Sequence, residues 1–150
     1  MPAGLLRRLG ALLYDTLLLL AIFMIATALF LPLTGGEALT ASRNPALELI
    51  YRATLLVLLT LYYGVAWTRR GQTLGMASWR IRVEREDGTR LDWGDTLRRI
   101  AAAAVSLLPA GLGFLWIAID PRRRAWHDRM THTRVVVVPR TPRSGPTGRS

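Results

Sequence analysis

Three apolar stretches, each about as long as a bilayer is thick, limit what this chain can fold into. Residues 9–33 read LGALLYDTLLLLAIFMIATALFLPL and hold a single ionisable side chain, Asp15. Residues 47–67 are free of charge from Ala53 onward, and residues 100–119 carry no charge at all. A transmembrane helix needs roughly 20 predominantly apolar residues. The pattern predicts an all-α helical membrane protein with two transmembrane helices, a third Pro/Gly-broken membrane segment and a small cytoplasmic β-hairpin or sheet. A chain of 150 residues has room for one domain, here 1–139. The basic, Pro-, Gly- and Ser-rich tail at 140–150 is expected to be disordered.

The charge is as uneven as the hydropathy. Twenty arginines and no lysine face ten acids, giving a net charge of +10 at pH 7. Basic chains often bind nucleic acid. These arginines, however, cluster beside apolar spans, where anionic lipid headgroups supply the partner and the positive-inside bias supplies the reason. The lipid bilayer and its anionic headgroups are therefore expected partners, and nucleic acid is not. No cysteine is present, which excludes disulfides and thiolate chemistry. A cleaved signal peptide is the rival reading of the N-terminus. Its apolar region would be interrupted by Asp15 or would run to Leu33, longer than the usual ~7–15 residues.

The first span ends at Pro32 and a Thr-Gly-Gly turn, and residues 37–46 read as a loop. Glu48 and Arg52 form an i,i+4 pair of favourable order near the start of the second span. Trp67 is expected to mark the opposite membrane interface, where amphipathic rings are favoured. Residues 68–99 form a polar connection. Within it, residues 79–85 (WRIRVER) alternate apolar and charged side chains, the period of a half-buried strand. Asp87 and Gly88 supply a turn and residues 90–93 resume the alternation, which predicts a β-hairpin. Residues 133–138 are a further β-branched run that can join the hairpin in a small sheet. Asp95 is placed to cap a helix beginning near Thr96.

The third apolar segment carries Pro109, Gly111 and Gly113 at its centre. Arg7 and Arg8 place the N-terminus in the cytoplasm, so two spans return residues 68–99 to that side. A third simple crossing would export Arg122, Arg123 and Arg124, against the positive-inside bias. A helix–break–helix that dips in and returns removes the conflict.

Asp15 is the first candidate for chemistry, because a carboxylate in an apolar span is costly and demands a partner, a wet cavity or a function. Arg8 lies two helical turns away on the same face, about 10.5 Å along the axis, too far for a direct ion pair. Asp15 is therefore expected to find its partner on another segment, either as a structural lock or as a proton or cation site. The second constellation runs from Asp120 to Arg129. One of its arginines, such as Arg124, can reach Asp15 while Asp120 or Asp128 pairs with Arg8. The bland alternative is an interfacial patch in which Arg122, Arg123 and Arg124 hold anionic lipid. His127 and His132 make too weak a ligand set for a metal. With neither a phosphate-binding loop nor a nucleophile–base set, no enzyme activity and no cofactor are expected.

These residues resemble the RDD family of small membrane proteins, named for one arginine and two aspartates. The likeness rests on Arg8-x6-Asp15 at the opening of the first span, on Gly71-Gln72-Thr73-Leu74-Gly75 before the Asp87–Gly88 turn, and on Trp126-His127-Asp128 leading into residues 133–136. It covers residues 2–139. The resemblance implies that Arg8 and Asp15 are the first two name residues and Asp128 the third, with Asp120 the second choice. Met76 departs from the pattern, since many relatives carry a basic residue after the second glycine. The family is mostly of undefined function, with transport suggested and cation/proton antiport proposed for some members.

Two functions follow as expectations. One is transport of a small ligand or cation/proton exchange, with so few spans that a homo-oligomer is required. The other is a non-catalytic accessory protein that binds anionic lipid or a membrane-protein partner. In either case the expected location is a bacterial-type inner (plasma) membrane, multi-pass, with the N-terminus cytoplasmic.

Overall fold

The computed structural model describes residues 2–34, 44–107, 116, 120 and 125–139. Helix α1, Leu5–Phe30, runs through the first apolar stretch without a breaker and ends in a 3-10 turn, Leu31–Thr34, that contains Pro32. Helix α2 spans Pro45–Arg69. Its start is set by Asn44, whose side-chain oxygen accepts from the Leu47 N–H at 3.1 Å, and by Pro45 at the first helical position, where a missing N–H costs nothing. Arg90 donates to the Arg69 carbonyl at 2.8 Å and satisfies one orphan acceptor at its other end.

The two helices pack antiparallel. Thr27 and Tyr51 share a hydroxyl hydrogen bond of 2.8 Å at one end, and Tyr62 reaches Asp15 towards the other. Among the described residues these are the two helices long and apolar enough to cross a membrane, and protein covers little of either. The expected Glu48–Arg52 ion pair is present at the start of α2.

The other described elements gather at the Arg8 end of α1. Helix α3 is Leu74–Ser78, strand β1 Ile81–Arg85, helix α4 Trp93–Leu107, helix α5 Trp126–Met130 and strand β2 Thr133–Val137. The strands pair antiparallel, from Ile81 opposite Val137 to Arg85 opposite Thr133. Pro2 bridges Val136, and the Ala3 N–H donates to the Val135 carbonyl at 2.9 Å, so the chain's first residues lie against β2. Alternation turns Ile81, Val83 and Val135 inward against Ala11, Trp67 and Leu91. Two tryptophans pin this cap to the long helices. Trp79 occupies the space that a Cβ on Gly10 of α1 would need, and Trp93 does the same at Gly64 of α2.

Three expectations are corrected. The Asp87–Gly88 turn forms, with Gly88 at φ +87° and its N–H on the Arg85 carbonyl at 2.9 Å, but residues 90–92 do not return as a strand. A helix start wins there. Asp92 accepts from the Asp95 N–H at 2.8 Å while Asp95 accepts from the Asp92 N–H at 3.2 Å, and Arg85 bridges both carboxylates. β1 consequently pairs with β2. The cap of α4 is thus Asp92 rather than Asp95, and the helix begins at Trp93. Trp67 is not an interfacial ring: it is 6% exposed, with the Arg99 guanidinium 5.4 Å above it. The start of the third apolar stretch belongs to α4. Residues 108–115 and 117–119, with their Pro/Gly break, and the tail from 140 lie outside the described residues.

Candidate functional site

Asp15 is 3% exposed and takes three hydrogen bonds from elsewhere in the chain. The Tyr62 hydroxyl donates to Oδ1 at 2.6 Å, the Gly75 N–H donates to Oδ1 at 2.9 Å, and the Thr73 hydroxyl donates to Oδ2 at 2.5 Å. Its partners do come from other segments, as the spacing from Arg8 required. Arg124, the arginine expected to reach it, lies outside the described residues. Every donor among the described residues is neutral, and α3 brings two of them to α1.

The Gly71–Gly75 motif explains how. Gly71 sits at φ +67°, where its N–H returns to the Trp67 carbonyl at 3.0 Å and turns the chain out of α2. Thr73 then caps α3, its hydroxyl oxygen accepting from the Met76 N–H at 3.1 Å while its proton goes to Asp15. Gly75 has no side chain because none fits. A Cβ there would stand 2.7 Å from Asp15 Oδ1 and overlap the Ala11 carbonyl.

The second cluster surrounds Asp128, which is fully buried on α5. Arg8 ion-pairs with Oδ2, which also accepts from the Ala125 N–H at 3.1 Å. Arg99 pairs with Oδ1 and bonds the Thr133 hydroxyl. Burial pushes the Asp128 carboxyl up, but the Arg99 and Arg8 guanidiniums outweigh it and hold the group well below the usual carboxylate range. His127, 3.5 Å from Asp128, is pushed down to about 4 by burial and by Arg99, so it is neutral at physiological pH. This network ties α1, α4, α5 and β2 together.

Of the residues singled out in the sequence, Arg8 and Asp128 meet, His127 lies beside them, and Asp15 is buried two turns along α1. Asp120 is half-buried, with its backbone N–H on the Trp116 carbonyl at 2.9 Å. Arg122, Arg123 and Arg124 lie outside the described residues. Sequence reasoning missed Tyr62, Thr73, Gly75 and Arg99. Arg99 carried a signal, since Thr96, Arg99 and Ala102 recur at helical spacing and are all buried.

The two clusters share a cavity of about 350 Å³ between α1, α2 and α4. Leu12, Leu59, Ile100 and Ala103 make its wall apolar. Asp15 borders it towards one end, and Arg8, Arg99 and Trp67 towards the other. Its size is at the lower end of the ~300–1,000 Å³ of small-molecule sites.

These features define a helical protein with two helices of membrane-crossing length, a polar cap at one end and two buried aspartates at the junction. The family model described as RDD family matches residues 2–132, and the chain belongs to the RDD family. The match includes Arg8, Asp15 and Asp128. No curated protein and no solved structure matches the chain.

Proposed function

We propose that this chain is a multi-pass protein of a bacterial-type plasma membrane, N-terminus cytoplasmic, that transports a small ligand or exchanges cations for protons. The observation that carries this reading is the state of Asp15. It is buried on the wall of a cavity, and its three donors are two hydroxyls and an amide. Among the described residues it is held by neutral dipoles alone, an arrangement that takes up and releases a proton or cation without breaking an ion pair, and an acid inside an apolar span is a functional candidate by default. Asp128 has the opposite character. Clamped between two guanidiniums, it serves as the lock that keeps the cap in register.

The topology is supported by two observations. Arg7, Arg69, Arg70, Arg80, Arg90 and Arg129 are exposed at the capped end, as the positive-inside bias requires of a cytoplasmic face. The pairing of Pro2 with Val136 puts the N-terminus and β2 on one side, which favours a third segment that dips in and returns. Two spans enclose no pathway of their own, so the uncovered apolar faces of α1 and α2 serve assembly of a homo-oligomer.

The test is flux in sealed vesicles that contain only this protein, with an internal pH dye and imposed Na⁺, K⁺ or pH gradients. Saturable, protein-dependent proton movement supports the reading, and vesicles no leakier than protein-free controls under every gradient remove it.

A second reading has its own observation. The fully paired Arg8–Asp128–Arg99 cluster and the long uncovered helix faces suit a rigid accessory protein that binds anionic lipid or a membrane-protein partner. Retained anionic lipid or a co-purified partner, both lost when Arg122, Arg123 and Arg124 are replaced by glutamine, favours it. Unchanged retention of both counts against it.

A further inference from the structure

A proton bound for Asp15 has to pass through protein, because the side chain is 3% exposed. The two sides of its carboxylate differ. One side borders the cavity, where Leu12, Leu59, Ile100 and Ala103 form the wall and the guanidiniums of Arg8 and Arg99 are already paired with Asp128. An apolar cavity of this kind offers water too few partners to carry a proton across it. On the other side stand the three donors, Tyr62, Thr73 and Gly75, and none of these lines the cavity.

The three donors are not equivalent. The Gly75 amide donates but has no lone pair with which to receive a proton in return. The Thr73 hydroxyl can do both, but the residue is 2% exposed and its oxygen is engaged by the Met76 N–H at 3.1 Å, so it leads nowhere. Tyr62 is only half-buried, and its hydroxyl stands 2.6 Å from Oδ1, within the reach that proton transfer needs. That hydroxyl lies beside the Leu74 backbone, where α3 and the polar cap begin, and Leu74 itself is exposed.

We propose that Tyr62 is the proton relay of Asp15, the residue through which the carboxyl gains and loses its proton. On uptake the Tyr62 O–H bond breaks as its proton goes to Oδ1, and the phenol oxygen takes a proton from a hydronium ion at the cap, leaving water. Asp15 is then a neutral carboxylic acid and Tyr62 a phenol again, so no charge stays on the ring. Oδ1 still accepts from Gly75 and Oδ2 from Thr73, because each carboxyl oxygen has a lone pair to spare. Release runs the same two transfers backwards. The proposal rests on the reading that Asp15 exchanges protons, and it adds the residue that delivers them.

The test is proton flux in sealed vesicles with an internal pH dye, comparing the full-length parent with two chains altered at position 62. Tyr62→Phe keeps the ring and removes the hydroxyl. It should insert, melt cooperatively and lose about tenfold or more of the flux, since a positioned acid–base group contributes about a hundredfold or more. A ring-fluorinated tyrosine at position 62 keeps the hydrogen bond to Asp15 but makes the phenol more acidic. It should melt as the parent does and yet change the flux about threefold or more, a response that a purely structural hydroxyl would not give. A Tyr62→Phe protein that carries protons at the parent's rate overturns the relay and leaves the exchange role of Asp15 standing. Flux lost in Tyr62→Phe but identical to the parent's in the fluorinated chain also overturns it, because the hydroxyl would then only hold the site together. Should Tyr62→Phe fail to insert, the fluorinated chain alone decides by the same criterion. Parent vesicles no leakier than protein-free controls overturn the exchange reading, and the relay with it.

Discussion

Arg8 and Asp15 stand seven residues apart on one face of α1, both buried, and neither is the other's partner. The guanidinium goes to Asp128 on α5, and the carboxylate goes to Tyr62, Thr73 and Gly75. One helix therefore carries two junctions of different character, a charged one at its end and a neutral one two turns further on.

The charged junction should behave as a unit. Arg8→Ala or Arg99→Ala leaves Asp128 buried with one cation, and Asp128→Ala leaves two guanidiniums facing each other. Breaking a buried ion pair from one side typically costs about 3–5 kcal/mol. Each single variant should lower the unfolding midpoint in detergent, and the Arg8→Ala, Asp128→Ala double variant should lose clearly less than the sum of the singles. Additive losses would mean that the pair is not coupled.

Gly75 should not tolerate even a methyl group. A Cβ there meets the Ala11 carbonyl and the Asp15 carboxylate, so α3 has to move away from α1. Overpacking of this kind costs about 1–3 kcal/mol. Thermal unfolding of Gly75→Ala measures it, and protease cleavage within residues 71–79 should accelerate as α3 detaches. A variant as stable and as resistant as the parent would show that the close approach is not required.

His127 predicts the acid response. Burial and Arg99 push its pKa to about 4, below the ~6.5 of a free histidine, so the unfolded chain binds the proton more readily. Its contribution is complete above pH 6.5 and declines as pH falls towards 4, reaching about 2 kcal/mol lost by pH 5. Asp128, held below the usual carboxylate range, keeps its charge through this window, and its contribution is lost only at lower pH. Unfolding midpoints between pH 7 and 5 should fall for the parent and stay flatter for His127→Gln.

The long helices were legible because hydropathy is a local property: uninterrupted apolar runs predict α1 and α2 within a few residues. Asp15 and Asp128 were legible because a charge in or beside an apolar run is conspicuous. Their partners were not. Thr73 and Gly75 look like loop residues until Gly71 folds the chain back against α1, and a pairing across 58 positions leaves no periodic trace. The false hairpin has a local cause. Residues 90–93 alternate as a strand does, but the Asp92–Asp95 cap and Arg85 give the backbone a helix start instead. Trp67 misled because an aromatic at the end of an apolar run suits a lipid interface and a buried core equally well, and only α4, carrying Arg99, decides between them.

The exchange role of Asp15 is the central claim, and proton flux by Asp15→Asn in sealed vesicles tests it most directly. Asparagine keeps the side chain's size and its acceptor for Tyr62 and Gly75 while removing the exchangeable charge, so the chain should still fold and insert, at a cost of about 1–2 kcal/mol. Under Na⁺, K⁺ or pH gradients that drive proton movement through the parent, the variant should fall to the rate of protein-free vesicles. An Asp15→Asn protein that inserts normally and carries protons at the parent's rate would contradict the account.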